Sequence, residues 1–242
     1  MVDAQEQYKH YGKSAEVERV GWITTNKYLM RKEEKLLKRL SRFSNKKILE
    51  VGCGEGVNIK NMQHTSNEFF GVDFSKSKIE FAKKNVKGTF KVGDATNLPY
   101  KNQSFDVVFC KDILHHLPDK RKVISEMKRV AKKDGKLLIV EANGRNLFMW
   151  LFGTFIKIER DVKNSKFEKI KSFLNANSLK IEKASFYEPF PFFRVLFHYK
   201  FGIPSLGNTK LIPGLLDSFE NVLGFLIPKK YWGYIIYEIS SE

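Results

Sequence analysis

The chain has 242 residues, 42% of them hydrophobic, and carries 43 Lys and Arg against 27 Asp and Glu, a formal net charge of +16. That length suits one well-buried domain with an elaboration and does not require a second. The two cysteines, Cys53 and Cys110, lie far apart; they argue against a disulfide framework or a paired-cysteine zinc site, and a reducing cytoplasm is the expected setting.

The opening "MVDAQEQYKHYGKSAEVERVG" is polar, so no signal peptide is expected. Residues 25–43 then predict an amphipathic helix, with Leu29, Leu36, Leu37, Leu40 and Phe43 at helical spacing and a basic opposite face. Five short apolar runs follow: "KKILEV" (46–51), "EFFGVD" (68–73), "TFKVG" (89–93), "FDVVFC" (105–110) and "GKLLIVEA" (135–142). Each has the length and composition of a buried strand. Between them "GVNIKNMQH", "SKSKIEFAKKN", "DILHHL" and "KRKVISEMKRVAKK" carry helical patterns or single turns. Strands alternating with helices predict an α/β fold with a parallel sheet covered on both faces. "NLFMWLFGTFIKI" (146–158) is strongly apolar but too short to span a bilayer as a helix. "LKIEKASFY" (179–187) and "WGYIIYEIS" (232–240) predict two last strands, enclosing an apolar insertion.

Chemistry concentrates at the ends of the early strands. In "ILEVGCGEG" the glycines 52, 54 and 56 close a strand and open a helix, allowing the backbone a tight turn and a close approach to a ligand. Alone this loop is a weak signal, and helix–sheet packing would also explain it. Seventeen residues after Gly56, Asp73 ends the second strand, where an acid can accept from both hydroxyls of a ribose. Asp94 ends the third, placed to accept from an adenine amine. Either acid could instead cap a helix; their joint occurrence in one order favours ligand binding.

These blocks, continuous over roughly residues 46–142, resemble the class I S-adenosylmethionine-dependent methyltransferases. Within that family the small-molecule branch, with its ubiquinone and menaquinone enzymes, is most similar. The resemblance implies a doubly wound, seven-stranded, mostly parallel sheet whose last strand is antiparallel, and S-adenosyl-L-methionine as cofactor. It implies Glu50 near the methionine amino group and Gly52 to Gly56, with Cys53 among them, around the amino-acid end. Asp73 and Phe74 would meet ribose and adenine, Asp94 and Ala95 the adenine edge, and Cys110 and Lys111 the methionine portion.

"CKDILHHLPD" follows the fourth strand, beside the place where the family's methyl group sits. His116 or His115 can take a proton from the acceptor there, the alternative being that one packs and the other caps. Ubiquinone-pathway relatives hold a divalent metal with Glu-x-x-Glu-His at this place. Asp112, His115 and His116 stand at the matching positions, but imidazole in place of a carboxylate ill suits magnesium, so no metal is the first expectation. No Asn/Asp-Pro-Pro-Tyr/Phe run or Pro-Cys nucleophile occurs, which weakens nucleic acid as a substrate despite the charge.

The expected organisation is one domain: a helical lid at 1–45, a cofactor-binding core at 46–145, and a C-terminal part at 146–242 with an apolar cap at 186–231. Tyr8 and Tyr11 are lid candidates, Tyr11 also an acceptor contact. Eight of the sixteen residues from Phe186 to Phe201 are aromatic, and Phe190, Phe192 and Phe193 are expected near the acceptor or a bilayer. Arg194, His198 and Lys200 accompany them, a mixture that suits a membrane interface. "GLLDSFENVLGFL" adds Leu215, Leu216, Phe219, Leu223 and Leu226 along one helical stripe. The same segments serve equally as a structural cap or a dimer contact. The sequence therefore predicts a methyltransferase of a small or lipid-like acceptor, peripheral to an anionic membrane surface. A soluble-metabolite or sugar enzyme with a structural cap, and a non-catalytic cofactor-binding protein, are the alternatives.

Overall fold

The structure, a computed structural model, describes residues 20, 23–117, 119–197, 202–209 and 211–240. After α1 (Lys27–Ser41) come β1 (Lys47–Val51), α2 (Val57–Met62), β2 (Glu68–Asp73), α3 (Lys76–Asn85), β3 (Thr89–Val92) and β4 (Phe105–Lys111). The second half holds α4 (Lys120–Val130), β5 (Ala131–Ala142), α5 (Leu147–Phe155), α6 (Phe167–Ala176), β6 (Ile181–Tyr187), α7 (Phe192–Leu196), α8 (Ile212–Leu226) and β7 (Tyr234–Ser240).

Seven strands form one sheet in the order β3-β2-β1-β4-β5-β7-β6, with β7 antiparallel to both its neighbours and the first five strands parallel. The period of two in the strands divides the core. Ile48, Val107, Phe109, Leu138, Val140 and Ile236 face α1, α2 and α3. Their sequence neighbours Leu49, Val108, Cys110, Leu137, Ile139 and Ile235 face α4 and α6. Runs apolar at every position are thus the mark of strands covered on both sides. Strand order reverses between β1 and β4, and the crevice at the carboxyl ends of such strands is where this architecture binds ligands.

A third apolar cluster joins α1 to the cap through Tyr28, Leu29, Phe193 and Phe197. Charge reinforces it. Lys32, 6% exposed, pairs with Asp217 at 2.8 Å and with Glu220, which also accepts from the Tyr28 hydroxyl. The basic face of this helix is therefore partly a buried seam. Asn26 anchors the other end: its side chain accepts from Leu29 N at 3.1 Å as N-cap and donates to the Pro204 carbonyl at 2.9 Å. Asn26→Ala removes both bonds at a buried site and should cost about 2 kcal/mol; urea unfolding measures it, and a change below about 0.5 kcal/mol would deny the anchor.

Candidate active site

β1 delivers the chain into a turn in which the amides of Gly52 and Cys53 both donate to the Val72 carbonyl, at 2.8 and 3.1 Å. Gly52 sits at φ +75°, and a Cβ there would lie 2.7 Å from the Ile113 side chain. Gly54, at φ +52°, has the opposite surroundings: no atom of the described residues lies within 4 Å of where its Cβ would stand. That empty space is part of a cavity of ≈ 420 Å³, a size ordinary for small-molecule sites. Asp73 closes the turn by accepting from Gly54 N and Ser75 N, each at 2.9 Å. Burial raises its pKa against these two amides.

Phe74, Asp94 and Ala95 continue the cavity wall from the ends of β2 and β3, and Cys53 and Lys111 belong to it as well. Asp94 accepts from Thr96 N at 2.7 Å, which fixes its turn. Three of the residues expected at the cofactor, Glu50, Gly56 and Cys110, are not in that wall. Glu50 lies behind it, 1% exposed, holding the wall residue Asn58 at 2.6 Å through Oε1 while Oε2 has no partner among the described residues. Burial pushes this carboxyl up to about 8, so an arriving ammonium group would draw its charge out. The glycine turn open at Gly54, the acid behind it and the two acids beyond form a donor–acceptor set that fits an aminoacyl nucleoside.

On the roof side Glu33 of α1, Lys111 of β4 and Arg194 of α7 meet. Arg194 Nη1 donates to Glu33 at 2.7 Å, and Lys111 Nζ lies 3.5 Å from the same carboxylate and 3.1 Å from Asp112. Burial opposes a charge on Glu33, but Lys111 and Arg194 prevail and hold it down at about 2. Sequence reasoning missed Glu33, because nothing local distinguishes it within a lysine-rich helix.

His115 and His116 both reach the cavity. The turn that carries them is shorter than the helix the pattern suggested, a single 3₁₀ turn at Leu114–His116. Asp112 precedes it at φ +54° with its carboxylate on Lys111. The alternative metal set of Asp112, His115 and His116 is not the one brought together: Asp112 is outside any helix, and among the described residues Glu159 joins the histidines instead. Donor atoms of His115, His116 and Glu159 lie within 4.8 Å of one another, a set that nitrogen-loving cations rather than magnesium would suit.

The two imidazoles differ in charge. Burial opposes protonation of His115, yet Glu141 at 2.6 Å on Nδ1 and Glu159 at 3.4 Å on Nε2 outweigh it and raise the pKa to about 10. For His116 burial and the neighbouring His115 charge act together and lower the pKa to about 3, against the pull of Glu159. His115 is thus a proton carrier in place, and His116 a neutral imidazole beside it.

The far wall is apolar: Phe148, Met149 and Phe152 of α5, Pro191, and the ring of Tyr234 at the start of β7. Phe190, Phe192 and Phe193, expected near the acceptor or a bilayer, do not line the cavity. Phe193 is 8% exposed in the α1–cap cluster, while Phe190 and Phe192 contact Phe148 from outside the wall. Their alternating partners explain the miss, since Pro191 and Arg194 of the same stretch point inward. Tyr8 and Tyr11 lie outside the described residues.

Comparison with known proteins follows this geometry. The model of a family described as Methyltransferase domain matches residues 42–192. The chain is 31% identical over 144 residues to a demethylmenaquinone methyltransferase of Lactobacillus johnsonii, covering 52% of this chain and 59% of that protein. It is 35% identical over 101 residues to an uncharacterised methyltransferase of Bacillus subtilis, covering 39% of this chain and 40% of the other. The matches thus span about half the length of these curated relatives. Among solved structures, phosphoethanolamine N-methyltransferase 2 of Haemonchus contortus in complex with S-adenosyl-L-methionine superposes with a TM-score of 0.68 at 19% identity, over 99% of this chain and 60% of that one. A Thermotoga maritima S-adenosylmethionine-dependent methyltransferase gives 0.67 at 16% identity, over 99% and 100%. These two establish the fold.

Proposed function

Because the chain belongs to the methyltransferase domain family, we propose that it is an S-adenosylmethionine-dependent methyltransferase of a small, hydrophobic, lipid-like acceptor. One observation carries the reading. A single cavity joins the glycine turn and its acids to an apolar wall of Phe148, Met149 and Phe152, with two histidines between. A prenylated ring compound suits such a wall, and the demethylmenaquinone enzyme of Lactobacillus johnsonii is a relative with that kind of name. A soluble sugar would have to find its partners on the roof side instead, at Glu33, Lys111 and Arg194.

Asp73 would bind the ribose with the lone pairs its two amide contacts leave available, Phe74 would lie beside the adenine, and Asp94 and the Ala95 amide would take the adenine edge. Gly52 and Gly54 let the backbone approach the amino-acid end, whose ammonium lies towards Glu50, with Lys111 bordering it. The bound cofactor supplies a sulfonium methyl, already electrophilic. The chain has to place an acceptor atom in line with it and keep water away, which is the larger part of the acceleration. An acceptor that must lose a proton would pass it to His116. Its imidazole is neutral at ordinary pH, and Glu159, 3.5 Å from Nε2, offsets part of the burial and of the His115 charge that oppose its protonation. His115, already protonated, fixes Glu159 and is a positioning residue.

His116→Ala should lower kcat about a hundredfold with cofactor affinity unchanged; equal kcat would show that positioning alone suffices. The function itself is tested with methyl-labelled S-adenosylmethionine and a lipid extract. Label in the organic phase is the expected result. Cofactor binding without transfer to any lipid or soluble acceptor would favour a non-catalytic binding protein instead.

A further inference from the structure

Among the described residues thirteen large hydrophobic side chains are exposed, and all but Val92 lie between residues 147 and 231. They are not scattered singly, as surface apolar residues normally are. On α8, Leu215, Phe219, Val222 and Leu226 recur at helical spacing on the outer side, and Phe225 beside them is 91% exposed. The inner side of the same helix is fully engaged: Leu216 and Ile212 pack on the α1–cap cluster, and Asp217 and Glu220 meet Lys32.

α5 continues this surface. Leu147, Trp150 and Phe155 are exposed, and rings in contact, Phe148 on Phe190 and Phe190 on Phe219, connect the two helices. The turn at Lys229–Tyr231 joins them at one end, with the Asn146 side chain donating to the Tyr231 carbonyl at 2.8 Å. Phe148 is at once part of this surface and part of the cavity wall. The apolar face and the apolar end of the active site are therefore continuous.

Charge decides what covers it. Lys229 and Lys230 are exposed at the end of α8, and Lys157 and Arg160 just beyond α5. From residue 186 to 232 the only acids are Glu188, Asp217 and Glu220, and all three are paired with cations. A second copy of the chain would bring its own lysines against these, whereas an anionic lipid surface complements them. No described helix is long and apolar enough to cross a membrane, so the contact is a lying-on rather than a spanning one.

We propose that the outer face of α8, the Lys229–Tyr231 turn and α5 form a docking surface for an anionic lipid bilayer, which sets the apolar end of the cavity against the membrane. The proposal rests on the lipid-like acceptor for its purpose, not for its geometry. Its test is sedimentation of the whole chain with phosphatidylcholine vesicles, with and without phosphatidylglycerol. Binding is expected to the anionic vesicles and to weaken with salt. Phe225→Ser/Leu226→Ser should weaken it about tenfold or more, and Lys229→Glu/Lys230→Glu should remove the preference for anionic lipid. Both pairs are exposed, and the thermal transition and the calorimetric affinity for S-adenosylmethionine should match the native chain. No binding at low salt would overturn the proposal. So would a native dimer that the Phe225→Ser/Leu226→Ser change dissolves, which would make a second copy the occupant. Loss of cofactor affinity in the native chain, by contrast, sinks the proposed function and leaves the vesicle result standing.

Discussion

Gly54→Arg should abolish S-adenosylmethionine binding, with a loss of about a thousandfold or more by calorimetry. The reason is spatial and conformational together. Gly54 sits at φ +52°, where an L side chain is strained, and the space its Cβ would enter is the cavity itself. Because no atom of the described residues lies within 4 Å of that Cβ, the variant should still fold, and its thermal transition should stay within a few degrees. Asp73→Ala acts on the same ligand from the other side. It removes an acceptor of charge-assisted bonds, worth about 1.5–3 kcal/mol each, and releases Gly54 N and Ser75 N. A loss of about a hundredfold is expected. Asp73→Asn should retain part of the affinity, since its oxygen still accepts one bond. Unchanged affinity in both Gly54→Arg and Asp73→Ala would refute the cofactor site.

The second large effect concerns stability. Glu141 is fully buried and accepts from Leu114 N at 2.7 Å and from His115 at 2.6 Å. Glu141→Ala strands a buried imidazolium and should cost about 3–5 kcal/mol. Glu141→Gln keeps the bond to Leu114 and should cost less. The pH dependence has a definite sign. The His115 pKa is raised from its ordinary value near 6.5 to about 10 in the folded state. The pair's contribution is therefore fully present below about pH 6.5 and is lost as pH rises towards 10. Urea midpoints of the native chain should fall across that window more steeply than those of Glu141→Gln. Parallel slopes would mean that His115 carries no extra proton.

Much of the fold was legible because it rests on local pattern. All seven strands appear where apolar runs predict them, with ends shifted by a few residues, as β5 beginning at Ala131 shows. The glycine turn and the acids after β2 and β3 were legible for the same reason, each being tied to a strand end. The rest depends on contacts that leave no local trace. Glu33 meets Arg194 across 161 residues, and Glu159 reaches His115 across 44. Asp112 was misread because Asp-x-x-His-His has helical spacing, while its positive φ removes it from the helix. The rings at 190, 192 and 193 show the limit of composition: it marks an apolar segment but not which side chains face inward.

The seam between α1 and the cap has a consequence for biosynthesis. Tyr28, Lys32, Glu33 and Asn26 leave the ribosome before their partners Glu220, Asp217, Arg194 and Pro204, which follow 161 to 192 residues later. At about 5–20 residues per second that interval is roughly 10–40 s. Through it Tyr28, Lys32 and Asn26 lack these partners, while Glu33 can already meet Lys111. The roof of the cavity therefore cannot close before the cap has been made.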